Sequence, residues 1–265
     1  SISQTYLNYS LYTEPLQRVE MVDYLPDERP FLVLRMNTYE ATQTERWLLR
    51  GATPLLTTDK FTLLSLSTNQ IKSFHETWRR SIFQKFGTQR LTSREGFLVS
   101  DSTAFFRHLP FEESSAKAAL RGSGAFTFKA RQQATLFSDK LNHVAGGVPV
   151  TIGFWVFKYQ NDAFLRTALN ILQKNSLTGE LVKKTETRFF DHLKGFQGDW
   201  ALVELDIETV GADELLEISL HHTVLPGAEF VIDELLIREK GLDVWSSGEK
   251  YLICNGRQFV RRENF

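Results

Sequence analysis

The 265-residue chain has a single cysteine, Cys254, and no excess of charge of either sign. One cysteine excludes an intramolecular disulfide and any metal site built from several thiolates. The formal net charge of −1 provides no general electrostatic attraction to nucleic acid. We therefore predict that the chain does not bind nucleic acid.

Long apolar runs and enzyme motifs are also missing. No apolar stretch reaches the roughly 18 residues that a membrane-spanning helix needs. The sequence has no G-x-S-x-G, no H-E-x-x-H and no glycine-rich phosphate-binding loop. Pairs of acids such as Glu112 with Glu113, or Asp206 with Glu208, could serve a glycosidase, but sequence does not give their separation. We expect no catalytic residue in this chain, with an unrecognised hydrolase as an alternative.

Residues 1–96 have the pattern of a small α/β domain. The apolar run FLVLRMN, Phe31–Asn37, follows a proline and predicts a buried strand. A capping-box pattern at Thr42 and a glycine at position 51 predict a short helix between them. Two strands are expected on either side of Asp59.

A clearer helix follows in this first domain. The stripe I-x-x-F-x-x-x-W that begins at Ile71 has helical spacing. Ser67 or Thr68 is the expected N-cap, and Gly87 is expected just after the last turn.

Residues 97–240 change in character, because helical periodicity nearly disappears. Nine short β-rich segments alternate with turn signals over about 140 residues, which predicts an antiparallel β-sandwich. The segment LLEISLHH is two-sided, with Leu216, Ile218 and Leu220 on one face. The overall fold class is therefore α+β.

Residues 241–265 form a predicted C-terminal β-hairpin extension. Asn255 and Gly256 lie between two β-prone runs. Both central residues of a type I′ turn have positive φ, which Asn and Gly tolerate best, so a hairpin is expected there.

Four segments of the second domain together resemble the carbohydrate-binding-module-like, or galactose-binding-like, jelly-roll domains. In order they are LPFEES from Leu109, VTIGFWVFKY, GDWALVELDI from Gly198, and PGAEFVIDELLIRE from Pro226. They are similar to the opening "FE", the "S-F-W-V-Y" strand, the "W-x-x-V-x-L" strand and the closing "Y-I-D-D-V-x-L" strand. This chain departs from the pattern at Gly153, where the family has Ser, and at Glu234.

The resemblance implies a non-catalytic jelly-roll module of an extracytoplasmic bacterial protein, whether periplasmic, surface-bound or secreted. Its expected partner is a glycan or cell-envelope polysaccharide. Many such domains hold a structural calcium, and the matching positions here are Glu112 and Asp233. The alternative is that Asp233 only accepts hydrogen bonds from a loop backbone. Glu234, on the opposite face of a regular strand, is expected at the surface or rim.

Sugar rings stack on exposed aromatic side chains, so the aromatic residues are candidates for ligand binding. Trp155 and Trp200 lie in apolar strands and are expected to be core. Trp245, in the polar segment GLDVWSSG, is predicted to lie in a loop. Tyr159 is followed by Gln, Asn and Asp at a predicted strand end. Tyr159 and Trp245 are the predicted ligand-binding residues.

The N-terminal domain supports an alternative function. Its segment from Arg29 to Ser67 is similar to soluble extracytoplasmic portions of polytopic, lipid-dependent membrane glycosyltransferases. In that case the chain would be tethered to a membrane part outside it, and the chemistry would belong to that part.

Overall fold

The structure is a computed structural model that describes residues 31–37, 46, 49–111, 118–129, 133–157, 167–197, 199–221, 229–248 and 251–260. The chain divides into two compact units between Gln89 and Arg90. The predicted domain boundary lies seven residues later, after residue 96. In the described part, no helix is both long and apolar enough to cross a membrane.

The first unit contains a three-stranded antiparallel sheet and a helix. Strands β1 (Phe31–Met36), β2 (Thr53–Thr57) and β3 (Phe61–Leu66) have the order β1-β3-β2. Helix α1 spans Thr68–Thr88. The predicted short helix near residues 42–51 falls largely outside the described residues.

The N-terminus of α1 confirms the prediction from sequence. The Ser67 side chain accepts from the Gln70 N–H, and the Gln70 side chain accepts from the Ser67 N–H, which completes a capping box. Ile71 and Phe74 are buried in one cluster with residues of β3. The predicted end was wrong: α1 continues through Gly87 to Thr88, and the Gln89 N–H bonds to the Lys85 carbonyl.

The second unit is built from antiparallel strands, which confirms the predicted β-rich architecture of this half. Its strands are β4 (Thr92–Arg94), β5 (Phe97–Val99), β6 (Phe106–Leu109), β7 (Phe126–Lys129), β8 (Gln133–Lys140), β9 (Pro149–Phe157), β10 (Ala168–Lys174), β11 (Leu181–Arg188), β12 (Leu193–Gln197), β13 (Trp200–Glu208), β14 (Leu215–His221), β15 (Glu229–Glu239), β16 (Val244–Ser247), β17 (Tyr251–Cys254) and β18 (Arg257–Val260).

Two of its sheets form a β-sandwich. One has the order β11-β10-β14-β8, and the other has the order β12-β13-β9-β15-β6, with β7 also paired to β15. The Gln173 side chain of the first sheet donates to the Glu208 carbonyl of the second at 2.8 Å. The Phe154 and Phe189 rings meet edge to face at 5.2 Å. As predicted, Leu216, Ile218 and Leu220, which share one face of β14, are buried.

A third sheet has the order β18-β17-β16-β5-β4. It joins the C-terminal strands to residues 92–99, most of which the sequence interpretation placed in the first domain. The β17–β18 connection confirms the predicted type I′ hairpin, since Asn255 and Gly256 have φ values of 50° and 81°. The Asn255 side chain also accepts from the Val244 N–H at 2.8 Å.

Candidate functional site

The six-stranded sheet has one face that packs toward the four-stranded sheet and an opposite face, which we call the outer face. Trp155 pairs with Leu202 and Asp233 in register, so these three side chains share the outer face. Phe154 and Val203 belong to the inner face. Central strand β9 is buried on both sides, so the outer face is also covered.

One half of the outer face is apolar. Trp155, Trp200, Leu202 and Val231 form a buried cluster with Ala125, and only 3% of Trp155 and 7% of Trp200 is exposed. Both tryptophans are therefore packed in the interior, as their apolar strands predicted. The Trp155 indole N–H donates to the Gly256 carbonyl at 3.1 Å, which fixes the C-terminal hairpin turn against this face.

A β-bulge interrupts the closing strand β15 between the two halves of this face. Asp233 pairs with Trp155, but the next pair joins Leu236 to Gly153, so β15 has one extra residue. Glu234 lies in the bulge with φ of 56°, a conformation that is uncommon outside glycine. The regular alternation expected from sequence was therefore wrong beyond Asp233.

Asp233 is fully buried, and both of its carboxylate oxygens accept backbone hydrogen bonds. One oxygen accepts from Leu120 N at 2.8 Å and Arg121 N at 3.3 Å, and the other accepts from Glu234 N at 2.8 Å. Burial raises the pKa of Asp233 to about 6 despite these bonds. The side chain thus anchors the segment at Leu120 to the bulge.

Glu234 is buried, which corrects the prediction that it lies at the surface or rim. One carboxylate oxygen lies 2.7 Å from Arg121 Nη1 and 3.1 Å from His108 Nε2. Burial alone would raise the pKa of Glu234, but His108 and Arg121 outweigh it and hold this pKa below its usual value. The bulge aims Glu234 at these two partners, and a regular strand would not.

The other half of the outer face is an ionic strip, which we define as Thr151, Glu204, Asp206, Arg238, Lys240 and Arg257. Glu204 lies 3.1 Å from Arg238 Nη2 and 3.3 Å from Arg257 Nη2. Arg238 also donates to the Leu242 carbonyl at 3.1 Å. Glu204 and Arg257 are partly accessible, with side-chain exposures of 14% and 21%, whereas Arg238 is buried.

The strip becomes more exposed at Asp206. Its carboxylate accepts from the Thr151 hydroxyl at 2.7 Å and lies 2.7 Å from Lys240 Nζ. Burial would raise the pKa of Asp206, but the bonds to Lys240 and Thr151 outweigh burial and lower this pKa. The Asp206 side chain is 44% exposed and that of Lys240 is 58% exposed, so solvent reaches this end.

The structure contradicts the predicted position of one site residue and does not describe two others. Trp245 lies in strand β16 and is fully buried, so its predicted loop position was wrong. It is a strand residue because β16 pairs with both β5 and β17. Tyr159 and Glu112 lie outside the described residues. Among the residues that are described, no three His, Cys, Asp or Glu side chains gather as metal ligands.

Sequence reasoning missed the ionic strip, although one signal for it was present. In WALVELDIE, Trp200, Leu202, Glu204 and Asp206 have the same parity, so one strand face changes from apolar to acidic. The arginine that faces these acids could not be assigned from sequence. In a regular strand Arg238 would lie on the opposite face from Asp233, but the bulge places both side chains on the same face.

Comparisons with known proteins found structural likenesses only. The sequence matches no protein-family model and no curated protein. The carbohydrate-binding module TmCBM61, solved with β-1,4-galactotriose, is 16% identical, with a TM-score of 0.30, over 51% of this chain and 88% of that chain. The CBM22-1 xylan-binding domain of Paenibacillus barcinonensis Xyn10C is 16% identical, with a TM-score of 0.31, over 57% of this chain and 86% of that chain.

A likeness of the same order extends to a viral enzyme domain. The enzymatically active domain of bacteriophage CBA120 tailspike protein 4 is 12% identical, with a TM-score of 0.33, over 52% of this chain. The matched part spans 19% of the tailspike chain. Because the identities and TM-scores are so low, these likenesses do not identify a ligand for this chain.

Proposed function

We propose that this chain is a non-catalytic, carbohydrate-binding accessory module of an extracytoplasmic bacterial protein. Its jelly-roll-like sandwich would recognise a glycan or cell-envelope polysaccharide. The observation that carries this proposal is the ionic strip on the outer face of the sandwich. A membrane part outside the chain, as in the glycosyltransferase-like alternative, is compatible with this role.

The strip has the chemistry that sugar hydroxyls require. Each hydroxyl both donates and accepts, and carboxylate and guanidinium groups offer several acceptors or donors in a fixed plane. Glu204 is held between Arg238 and Arg257, so little side-chain freedom remains to be lost on binding. Asp206 and Lys240 form the accessible end at which a polysaccharide chain would enter.

Asp206 and Asp233 of this face are poorly suited to act as the general acid of a hydrolase. A glycosidase general acid needs a raised pKa and contact with the glycosidic oxygen. Asp206 is accessible, but its pKa is lowered. Asp233 has a raised pKa, but it is fully buried and both oxygens accept backbone N–H groups. Neither carboxyl group combines the two properties.

The experiment is a glycan array with the full chain, followed by titration of each positive polysaccharide. The double variant Asp206→Ala with Lys240→Ala removes the exposed end of the strip. We expect it to weaken binding at least about tenfold, the usual effect of losing polar contacts to a ligand. Its melting temperature should stay close to that of the parent, because the pair is largely exposed.

A matched control is the exposed ion pair between Arg188 and Asp191 on the other sheet, with N and O 3.2 Å apart. Replacing both with Ala should leave glycan affinity unchanged. An array without any glycan bound, or equal affinity of the strip variant and the parent, contradicts the proposed function.

We also propose a structural calcium held by Asp233 with Glu112. The support is the resemblance of the closing strand. Among the described residues only the Glu234 N–H donates to Asp233 Oδ1, so this oxygen keeps a lone pair that a cation could share. The proposed function also includes an extracytoplasmic location. Protease accessibility of the full gene product in intact and opened cells of the source bacterium would test that location.

A further inference from the structure

The C-terminal hairpin supplies one residue of the ionic strip. Arg257 follows the turn residues Asn255 and Gly256, and its Nη2 lies 3.3 Å from Glu204 Oε2. The other five strip residues lie on β9, β13 and β15 or directly after β15. Arg257 is therefore the one member of the strip that the third sheet carries, and its position beside Glu204 depends on how the hairpin turn is held against the outer face.

Two donors from the sandwich hold the Gly256 carbonyl oxygen. The Trp155 indole N–H donates to it at 3.1 Å, and Arg121 Nη2 donates to it at 2.6 Å. A carbonyl oxygen has two lone pairs, so these two bonds use both of them. The oxygen lies in one plane with the N and Cα atoms of Arg257, because the peptide bond is rigid. Fixing this oxygen therefore fixes the backbone from which the Arg257 side chain starts.

Arg121 is itself held by the two adjacent acids of β15. Its backbone N–H donates to Asp233 Oδ2 at 3.3 Å, and its Nη1 lies 2.7 Å from Glu234 Oε2. Adjacent residues of a regular strand point to opposite faces, so a regular strand would separate these two carboxylates. The bulge, in which Glu234 has a φ of 56°, turns both of them toward Arg121.

The ion pair between Arg121 and Glu234 is largely buried, with side-chain exposures of 16% and 8%. Such a pair contributes little net stability, because the cost of desolvating both charges offsets their attraction. What it supplies is geometry. The two Nη atoms of one guanidinium lie in a single plane at a fixed spacing, and here one bonds to the bulge and the other to the hairpin turn. Arg121 thus connects β15 to the backbone just before Arg257.

We propose that Arg121 is a positioning residue of the carbohydrate site. It holds the Gly256–Arg257 peptide so that Arg257 lies beside Glu204, and the two charged groups are oriented before a glycan arrives. Among the described residues, the guanidinium of Arg121 bonds to Glu234 and Gly256, so its effect on a glycan passes through Arg257. Because Arg257 and Glu204 are the groups that it orients for the glycan, this role rests on the proposed function.

The test is a double-mutant cycle on glycan affinity with the full chain. The probe is the polysaccharide that gives the parent its strongest signal on the glycan array, and the variants are Arg121→Gln, Arg257→Gln and both together. Each single variant should bind at least about fivefold more weakly than the parent. The double variant should bind no more weakly than Arg257→Gln, because the position of residue 257 no longer matters once its guanidinium is gone. Independent effects would multiply to about 25-fold.

A second variant tests the same carbonyl without changing a charge. Trp155→Phe keeps an aromatic ring in the apolar cluster but removes the other donor to Gly256. It should weaken glycan binding about two- to threefold in the parent and not in the Arg257→Gln background. Circular dichroism at the titration temperature shows which variants are folded, and if Arg121→Gln is not folded, the cycle with Trp155→Phe decides alone.

The matched control is His108→Gln. His108 Nε2 lies 3.1 Å from the same Glu234 oxygen that Arg121 contacts, but His108 does not bond to the turn. This variant should bind the polysaccharide like the parent, and a loss as large as that of Arg121→Gln would show a general effect of the bulge and overturn the positioning role.

The remaining outcomes separate this role from the proposed function. If the Asp206→Ala, Lys240→Ala variant binds more weakly but folded Arg121→Gln and Trp155→Phe bind like the parent, the function stands and the positioning role is overturned. Losses that multiply in the double variants overturn it as well, because Arg121 would then not act through Arg257. A parent that binds no polysaccharide removes the proposed function and the positioning role together.

Discussion

Replacing Asp233 with Ala should destabilise the protein strongly, because the carboxylate is the acceptor for three backbone N–H groups. Leu120, Arg121 and Glu234 donate these bonds at 2.8, 3.3 and 2.8 Å. A buried donor left without its acceptor costs about 1–3 kcal/mol, so the gross loss is about 3 kcal/mol or more. Replacing Asp233 also removes the free-energy cost of burying its charge. This gain offsets part of the loss, and the size of the gain depends on pH.

The pH dependence follows from the pKa of Asp233, which burial raises to about 6 in the folded protein. An unfolded Asp has a pKa of about 3.9. Between these values the folded state holds a proton that the unfolded state releases, so the contribution of this group to stability falls as pH rises. The loss is at most about 1.4 kcal/mol per pH unit, and it is complete above the folded pKa. Asp233→Ala should therefore destabilise about 1 kcal/mol more at pH 5 than at pH 7.

Urea unfolding followed by circular dichroism at both pH values measures these differences. The control is Asp199→Ala, because Asp199 is exposed in the β12–β13 turn and should change stability by less than about 0.5 kcal/mol. The account of Asp233 is refuted if Asp233→Ala unfolds at the parental urea concentration at both pH values. A destabilisation that is larger at pH 7 than at pH 5 would refute the pKa argument.

Two further predictions concern the same region of the outer face. Arg121→Met removes one of the two partners of the buried Glu234 carboxylate and should lower the free energy of unfolding by about 3 kcal/mol. Adding Glu234→Gln removes the buried charge and should recover part of that loss. A double-mutant cycle in urea measures this coupling, and a value near zero contradicts the ion pair. If calcium binds at Asp233, a chelator should lower the melting temperature and Asp233→Ala should bind less calcium in calorimetry. Unchanged melting together with undiminished calcium binding by Asp233→Ala would exclude the site.

Local signals were sufficient to predict some features of the fold. The Ser67 capping box depends on residues three apart, and the hairpin at Asn255 and Gly256 depends on the φ values these two residues tolerate. The sandwich followed from the number and spacing of short β-rich segments. The capping box and the hairpin are determined by residues near one another in the chain, whereas the sandwich followed only from the pattern of its strands and not from knowledge of how they pair.

The missed features depend on contacts between distant parts of the chain. Trp245 lies among Gly, Asp and Ser residues that favour a loop, but its strand pairs with β5, which is more than 140 residues earlier. The bulge at Glu234 is accompanied by contacts to His108 and Arg121, which lie 126 and 113 residues away in sequence. Periodicity within β15 contains no information about these partners. The face of β15 on which Arg238 lies, and therefore the ionic strip, could not be predicted from the sequence of this strand alone.

We propose that the outer face binds carbohydrate through the ionic strip. The most direct measurement is isothermal titration of the polysaccharide that the array identifies, with the parent and with the Asp206→Ala, Lys240→Ala variant. We expect saturable binding by the parent and at least about tenfold weaker binding by the variant. Absence of saturable binding by the parent, or an unchanged dissociation constant in a folded variant, would contradict it.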